Sequence, residues 1–117
     1  MMPGPERQTA RIQPFVAPCR YAHGETRAQG FLTDLSKRGC RVHTDHEPPA
    51  AGTVITLEAR LGPRATHLRI PGTVRWTRPN PRGGFVFGLS FDGIGPDEQR
   101  ALDAVIDEFR RRAAALG

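Results

Sequence analysis

From Phe15 onward the chain is a succession of short segments in which apolar and polar positions alternate, interrupted by Gly, Pro, Asp and Asn. Alternation with a period of two marks a half-buried strand. It predicts strands near residues 15–22, 28–36, 39–44, 53–61, 66–78 and 84–91. In the fourth, Ile55, Leu57, Ala59 and Leu61 form one apolar set, and in the last Phe85, Phe87, Leu89 and Phe91 do so. Both sets are expected to face a core. In the second, Phe31, Thr33 and Leu35 fall on one side and Asp34 and Ser36 on the other, which places the two polar side chains together outside the core. Pro71 removes a ladder hydrogen bond, so its strand is expected at an edge, bulged or broken there. Trp76 shares parity with Leu68, Ile70 and Val74, which favours burial. Its place at a strand end beside Arg75 and Arg78 leaves base stacking open.

After Phe91 the period changes to that of a helix. Gly95-Pro96 supplies a start with Pro in the first position, Asp97 and Glu98 suit the positive end of the helix dipole, and Arg110, Arg111 and Arg112 are expected at the negative end. Leu102, Val105, Ile106, Phe109 and Ala113 form one apolar stripe, expected to pack on the sheet. Six short strands and one helix predict a mainly β domain, a six-stranded antiparallel barrel with a C-terminal α-helix. The expected organisation is a flexible arm over residues 1–14, rich in Pro and Gly, and a single domain over 15–117, with the barrel in 15–94 and the helix in 96–114.

A chain of 117 residues is long enough for one modest core. It contains no apolar run near the roughly 20 residues of a membrane helix and no apolar core of a signal peptide, so a cytoplasmic protein without membrane insertion is expected. Two cysteines, Cys19 and Cys40, are not in a Cys-x-x-Cys spacing, and reduced thiols are expected, Cys40 as a core residue and Cys19 free. The net charge of +5 is uneven: residues 97–117 hold four Arg against five Asp and Glu, leaving +6 on the strand-rich part. A positive surface favours phosphates without saying whose. Sixteen of the seventeen basic residues are Arg, a skew that genome composition alone can produce, so charge carries little weight here.

Candidate chemistry narrows the choice. His43, Asp45 and His46 cluster, yet no further His or Cys has a spacing that completes a metal site, and none is expected. There is no nucleophile elbow, no phosphate-binding loop and no carboxylate pair with a reason to share a cleft, so a binding module rather than an enzyme is expected, with no cofactor. A nucleic-acid surface is argued against by the lack of a row of exposed aromatics. What remains is Asp34-Leu35-Ser36-Lys37-Arg38-Gly39, an Asp-x-Ser-x-x-Gly turn, preceded upstream by the Arg-x-x-x-Arg pair Arg7 and Arg11. Aspartate accepts hydrogen bonds from the N1–H and N2–H groups of guanine, serine donates or accepts beside it, and arginine forks onto a guanine edge or a phosphate. Gly39 permits a tight turn below them. Arg38 and Arg41 flank Gly39 and, with Trp76, form a second tier of candidates.

These residues, their order and their separation resemble the two-part signature of the PilZ domain family. Gly72-Thr73-Val74-Arg75-Trp76 resembles the family's Gly-x-Val-x-Trp strand, and Gly84-Phe85-Val86-Phe87-Gly88-Leu89-Ser90-Phe91 resembles its closing aromatic strand. The resemblance covers roughly Glu6 to Phe91. It implies a split-barrel receptor for cyclic di-GMP in bacterial second-messenger signalling, in which Arg7 and Arg11 contact guanine and phosphate, Asp34 and Ser36 meet a guanine edge, and the backbone at Gly39 approaches the ligand. The alternative within the same fold is a ligand-independent adaptor that docks a motility or pilus protein; in either case a downstream protein partner is expected. One departure is Glu6, which precedes Arg7 where many members carry a second arginine.

Overall fold

A computed structural model describes residues 12–116. Arg7 and Arg11, and with them the expected arm, lie outside the described residues. The elements are β1 (Ile12–His23), β2 (Thr26–Leu35), β3 (Gly39–Thr44), β4 (Val54–Leu61), β5 (Thr66–Pro79), β6 (Phe85–Ser90) and α1 (Pro96–Leu116). The strands close into a barrel in the order β1-β2-β3-β6-β5-β4, with β4 pairing back onto β1 and every pair antiparallel. The expected six-stranded barrel with a helix after it is the observed architecture. β1 begins three residues earlier than expected, at Ile12, which pairs with Leu35.

Period-two alternation fills the interior. Cys19 and Tyr21 from β1, Val42 from β3, Ile55, Leu57 and Leu61 from β4, Leu68, Ile70 and Val74 from β5, and Phe87 and Leu89 from β6 are all buried. Tyr21 and Phe87 meet edge to face, with ring centroids 5.2 Å apart, and the Tyr21 hydroxyl donates to Thr44 Oγ1 at 3.0 Å. Those large rings explain where the expected parity of β2 fails. Tyr21 pairs across from Ala28, so the stretch of β2 facing these rings has room inside only for Ala28, Gly30 and Leu32. Phe31 is consequently on the outside, 53% exposed, rather than in the core. Hydrophobicity alone would choose the Phe; the volume already occupied decides against it.

Pro71 is accommodated at a local edge. β6 reaches β5 only as far as Thr73, so β5 from Thr66 to Gly72 has a ladder partner on its β4 side alone. The Arg69 N–H, on the open side, donates to Glu98 Oε2 at 2.6 Å, and the donor that Pro71 lacks belongs to the same side by two-residue parity. The helix therefore covers and caps this edge. Leu102, Val105 and Ile106 are buried and Phe109 packs against the core, as the stripe predicted, whereas Ala113 is exposed. The helix also runs on to Leu116, so Arg110, Arg111 and Arg112 precede its last turn; Arg111 and Arg112 pair with Glu108 instead.

Both cysteines are buried and free. Cys19 is free as expected and, like Cys40, part of the core; burial pushes its thiol up to about 12 and raises Cys40 as well.

Candidate ligand-binding face

The Asp-x-Ser-x-x-Gly turn joins β2 to β3. Asp34 adopts a left-handed backbone, φ 53°, tolerable for a residue whose short polar side chain bonds locally. That conformation resets the strand: Leu35 turns inward and is fully buried, and Ser36 follows it into the turn. The expectation that Asp34 and Ser36 leave one face of a regular strand is therefore corrected. The Asp34 side chain is largely covered, 14% exposed, and its Oδ2 lies 3.1 Å from Nε of the exposed Arg41. The Ser36 hydroxyl faces its own turn, donating to the Gly39 carbonyl at 3.3 Å and accepting from the Arg38 N–H at 3.2 Å. Ser36 N–H also donates to the Gly39 carbonyl, at 2.9 Å. Serine here shapes the loop that holds Asp34.

Gly39 is required by a close approach. It opposes Ser90 across the β3–β6 ladder, and a Cβ built on it would fall well inside contact distance of the Leu89 carbonyl oxygen. The turn is fixed from the other side by α1, whose Gln99 Nε2 donates to the Lys37 carbonyl at 3.5 Å while Asp107 lies 3.6 Å from Lys37 Nζ. Arg38 is exposed at the tip.

Across the barrel wall from Asp34 stands Trp76, and here the parity argument fails instructively. Val74 pairs with Leu89 but Trp76 pairs with Gly88, so one residue, Arg75, is extra. The bulge shifts every later residue to the opposite face. Trp76 is thus outside the barrel and half-buried rather than in the core. Its indole lies across Gly88, where a Cβ would collide with the ring nitrogen. The guanidinium carbons of Arg78 and Arg41 lie 4.2 and 5.8 Å from the ring centroid. Such stacking favours cations over an aromatic face and leaves a flat, positively charged surface outward.

Asp34, Arg41, Trp76 and Arg78 therefore form one outer face spanning β2, β3, β6 and β5. Further along β3, His43 Nε2 is hydrogen-bonded to Thr33 Oγ1 at 3.1 Å, and its Nδ1 accepts from Asn80 Nδ2–H at 3.4 Å. It borders a cavity of about 680 Å³ lined by Gln29, Phe31, Asn80 and Phe85 among others, a size within the usual range for small-ligand sites. At its far side His67 Nε2 is 2.5 Å from Glu58 Oε2, and that hydrogen bond holds the Glu58 carboxyl below its usual range. Among the described residues no group of His, Cys, Asp and Glu is placed to hold a metal.

The model of the PilZ domain family matches residues 5–108. The chain belongs to this family. Its PilZ barrel resembles the structure of Bacillus subtilis inhibitor of motility, MotI/DgrA, with a TM-score of 0.75 and 20% identity over 94% of this chain and 53% of that one. It resembles equally Escherichia coli YcgR in complex with c-di-GMP, at a TM-score of 0.75 and 18% identity over 94% of this chain and 48% of YcgR. The isolated PilZ domain of YcgR with c-di-GMP is matched at 0.67 and 17% identity, over 93% and 95% of the two chains. This chain spans about half the length of the first two. At such identities the likeness is one of fold. No curated protein matches the sequence significantly.

Arg78 and Gly88 escaped the sequence reading as site residues, whereas Arg41 and Trp76 were among its second-tier candidates. A signal was present: Gly88 between the large residues Phe87 and Leu89 marks a place where something must approach the strand closely, and the single Trp is that something.

Proposed function

We propose that this PilZ domain is a receptor module that binds cyclic di-GMP on the face built by Asp34, Arg41, Trp76 and Arg78. The observation that carries this reading is a carboxylate held under the exposed Arg41 guanidinium, which also reaches towards a cation-covered indole. The carboxylate accepts from guanine N1–H and N2–H, groups that adenine does not offer, and the indole with its guanidinium layer provides a stacking surface for the base. Arg41 bridges the two, and on binding it exchanges the Asp34 carboxylate for a phosphate. Ser36 and Gly39 contribute by fixing the turn and bringing backbone close to the ligand.

Ile12 pairs with Leu35, so β1 begins beside the Asp34–Gly39 turn. Arg7 and Arg11 precede that point in the sequence, and in this reading they close on the phosphates and the second guanine. The whole arrangement is binding chemistry, as suits a family of receptor modules. The bound nucleotide then alters the surface offered to a downstream protein. Val16, 66% exposed, and Phe31, 53% exposed, lie on the outer face of β1 and β2 and suit such a contact.

Calorimetric titration with cyclic di-GMP tests the reading. The wild-type protein is expected to bind in the micromolar range, about 8 kcal/mol. Arg11→Ala and Asp34→Ala are each expected to lose about 2–5 kcal/mol, enough to remove measurable heat. Cyclic di-AMP is expected to bind at least about tenfold more weakly. Absence of heat and of any thermal shift at high ligand concentration would instead make the domain a ligand-independent adaptor.

A further inference from the structure

Trp76 reaches the outer face because β5 carries one extra residue, and that residue has a set of partners of its own. Arg75 Nε donates to Ser90 Oγ at 2.8 Å, and Arg75 Nη2 pairs with Asp92 Oδ2. Ser90 Oγ in turn donates to the same Asp92 oxygen at 2.9 Å. The three side chains close a ring that joins the bulge to the last residue of β6 and the turn beyond it. Ser90 is also the residue opposite Gly39 on one side and Thr73 on the other. The Phe91 N–H donates to the Arg38 carbonyl at 2.8 Å. The segment Ser90–Asp92 therefore stitches the turn that carries Asp34 to the bulge that aims Trp76.

We propose that Arg75, Ser90 and Asp92 are positioning residues, a polar ring that locks the bulge and so holds the Trp76 indole outward as the seat for a guanine base. The inference rests on the reading of this face as a cyclic di-GMP site. A bulge costs a ladder position and is retained where something specific holds it. Without the ring, β5 has no reason to keep its extra residue fixed. The regular register is closed to it, since that would drive the indole into an interior already filled by Phe87 and Leu89. The end of β5 loosens instead, and the indole loses its fixed position over Gly88. Arg75 and Asp92 are more than half exposed, so the ring contributes orientation far more than stability.

Trp76 is the only tryptophan, which makes its position readable without ligand. Asp92→Ala removes the acceptor shared by Arg75 and Ser90. Its melting temperature is expected to stay close to wild type, while acrylamide quenching of Trp76 fluorescence rises and the near-ultraviolet circular dichroism of the indole weakens. Cyclic di-GMP affinity is expected to fall about fivefold, the order of a lost orienting pair. In a Trp76→Ala background the same substitution is expected to cost less than about twofold, because what the ring positions is then gone. Asp92→Asn, which keeps an acceptor oxygen, should recover most of the affinity and of the dichroism. Unchanged quenching and dichroism in Asp92→Ala, or an affinity loss that adds in full to that of Trp76→Ala, overturns the proposal. Should Asp92→Ala not fold, Ser90→Ala, which removes the middle member of the ring, carries the same comparison. If the wild-type protein binds no cyclic di-GMP, the proposed function fails, and the ligand-free quenching and dichroism still decide whether the ring holds the indole.

Discussion

β5 is two strands in one, and its halves do opposite work. From Thr66 to Val74 it is regular: Leu68, Ile70 and Val74 point into the barrel, α1 lies along its open edge, and Glu98 takes up a backbone donor there. From Arg75 to Pro79 the same chain lies outside the barrel, exposed except for the half-buried Trp76, reversed in parity and studded with Arg. The first half is held by burial, at about 1.5–3 kcal/mol for each large apolar side chain removed from water. The second half is held by a bulge, a glycine on the facing strand and a ring of polar side chains, and it offers a surface in place of a core. A single extra residue separates stabilising chemistry from binding chemistry, so substitutions on the two sides of it should separate stability from affinity.

The largest effect is expected on the buried side. Leu102→Ala, at the fully buried centre of the helix stripe, should destabilise the fold by about 2–5 kcal/mol in chemical denaturation while leaving affinity per folded molecule unchanged. On the other side of the bulge the outcome should reverse. Trp76→Ala should weaken cyclic di-GMP binding by about 1–3 kcal/mol in calorimetry and barely move the melting temperature. Gly88→Ala sharpens the contrast, because its methyl group would occupy the place of the indole; affinity should drop about as far as in Trp76→Ala although the tryptophan is still present. If Gly88→Ala binds normally, the indole is not where binding occurs.

A smaller effect distinguishes the interior from the surface by pH. The Cys19 thiol is raised from 9.0 to about 12 and that of Cys40 is raised as well, both by burial. In the unfolded chain both thiols ionise near their ordinary value, so above about pH 9 the folded state holds more protons than the unfolded one, and stability falls as pH rises. Below that range both states are protonated and the thiols contribute no slope. Denaturation midpoints between pH 8 and 10 should show this decline, and the Cys19→Ala, Cys40→Ala double variant should lose part of it.

How much of this was legible in the sequence follows from the kind of information each feature needs. The six strands and the helix were readable because alternation and turn residues are local. The Asp34 to Gly39 turn was readable because its residue types are restrictive and serine is scarce here. What escaped depends on volume and register. Phe31 looked like a core residue until Tyr21 and Phe87 were seen to occupy the space. Trp76 kept core parity up to the position where the Arg75 bulge, a property of the pairing with β6, cancelled it. Ser36 looked like part of a regular strand, and its hydroxyl closes its own turn, since a left-handed residue at Asp34 breaks the alternation and the strand ends at Leu35.

The central claim is that the outward indole is part of the recognition surface, and the protein carries its own probe for it. Emission from Trp76 should change saturably as cyclic di-GMP is added, with a midpoint equal to the calorimetric dissociation constant and with no such response to cyclic di-AMP in the same range. Calorimetric binding of cyclic di-GMP with an unaltered Trp76 spectrum would contradict it, placing the ligand elsewhere on the barrel.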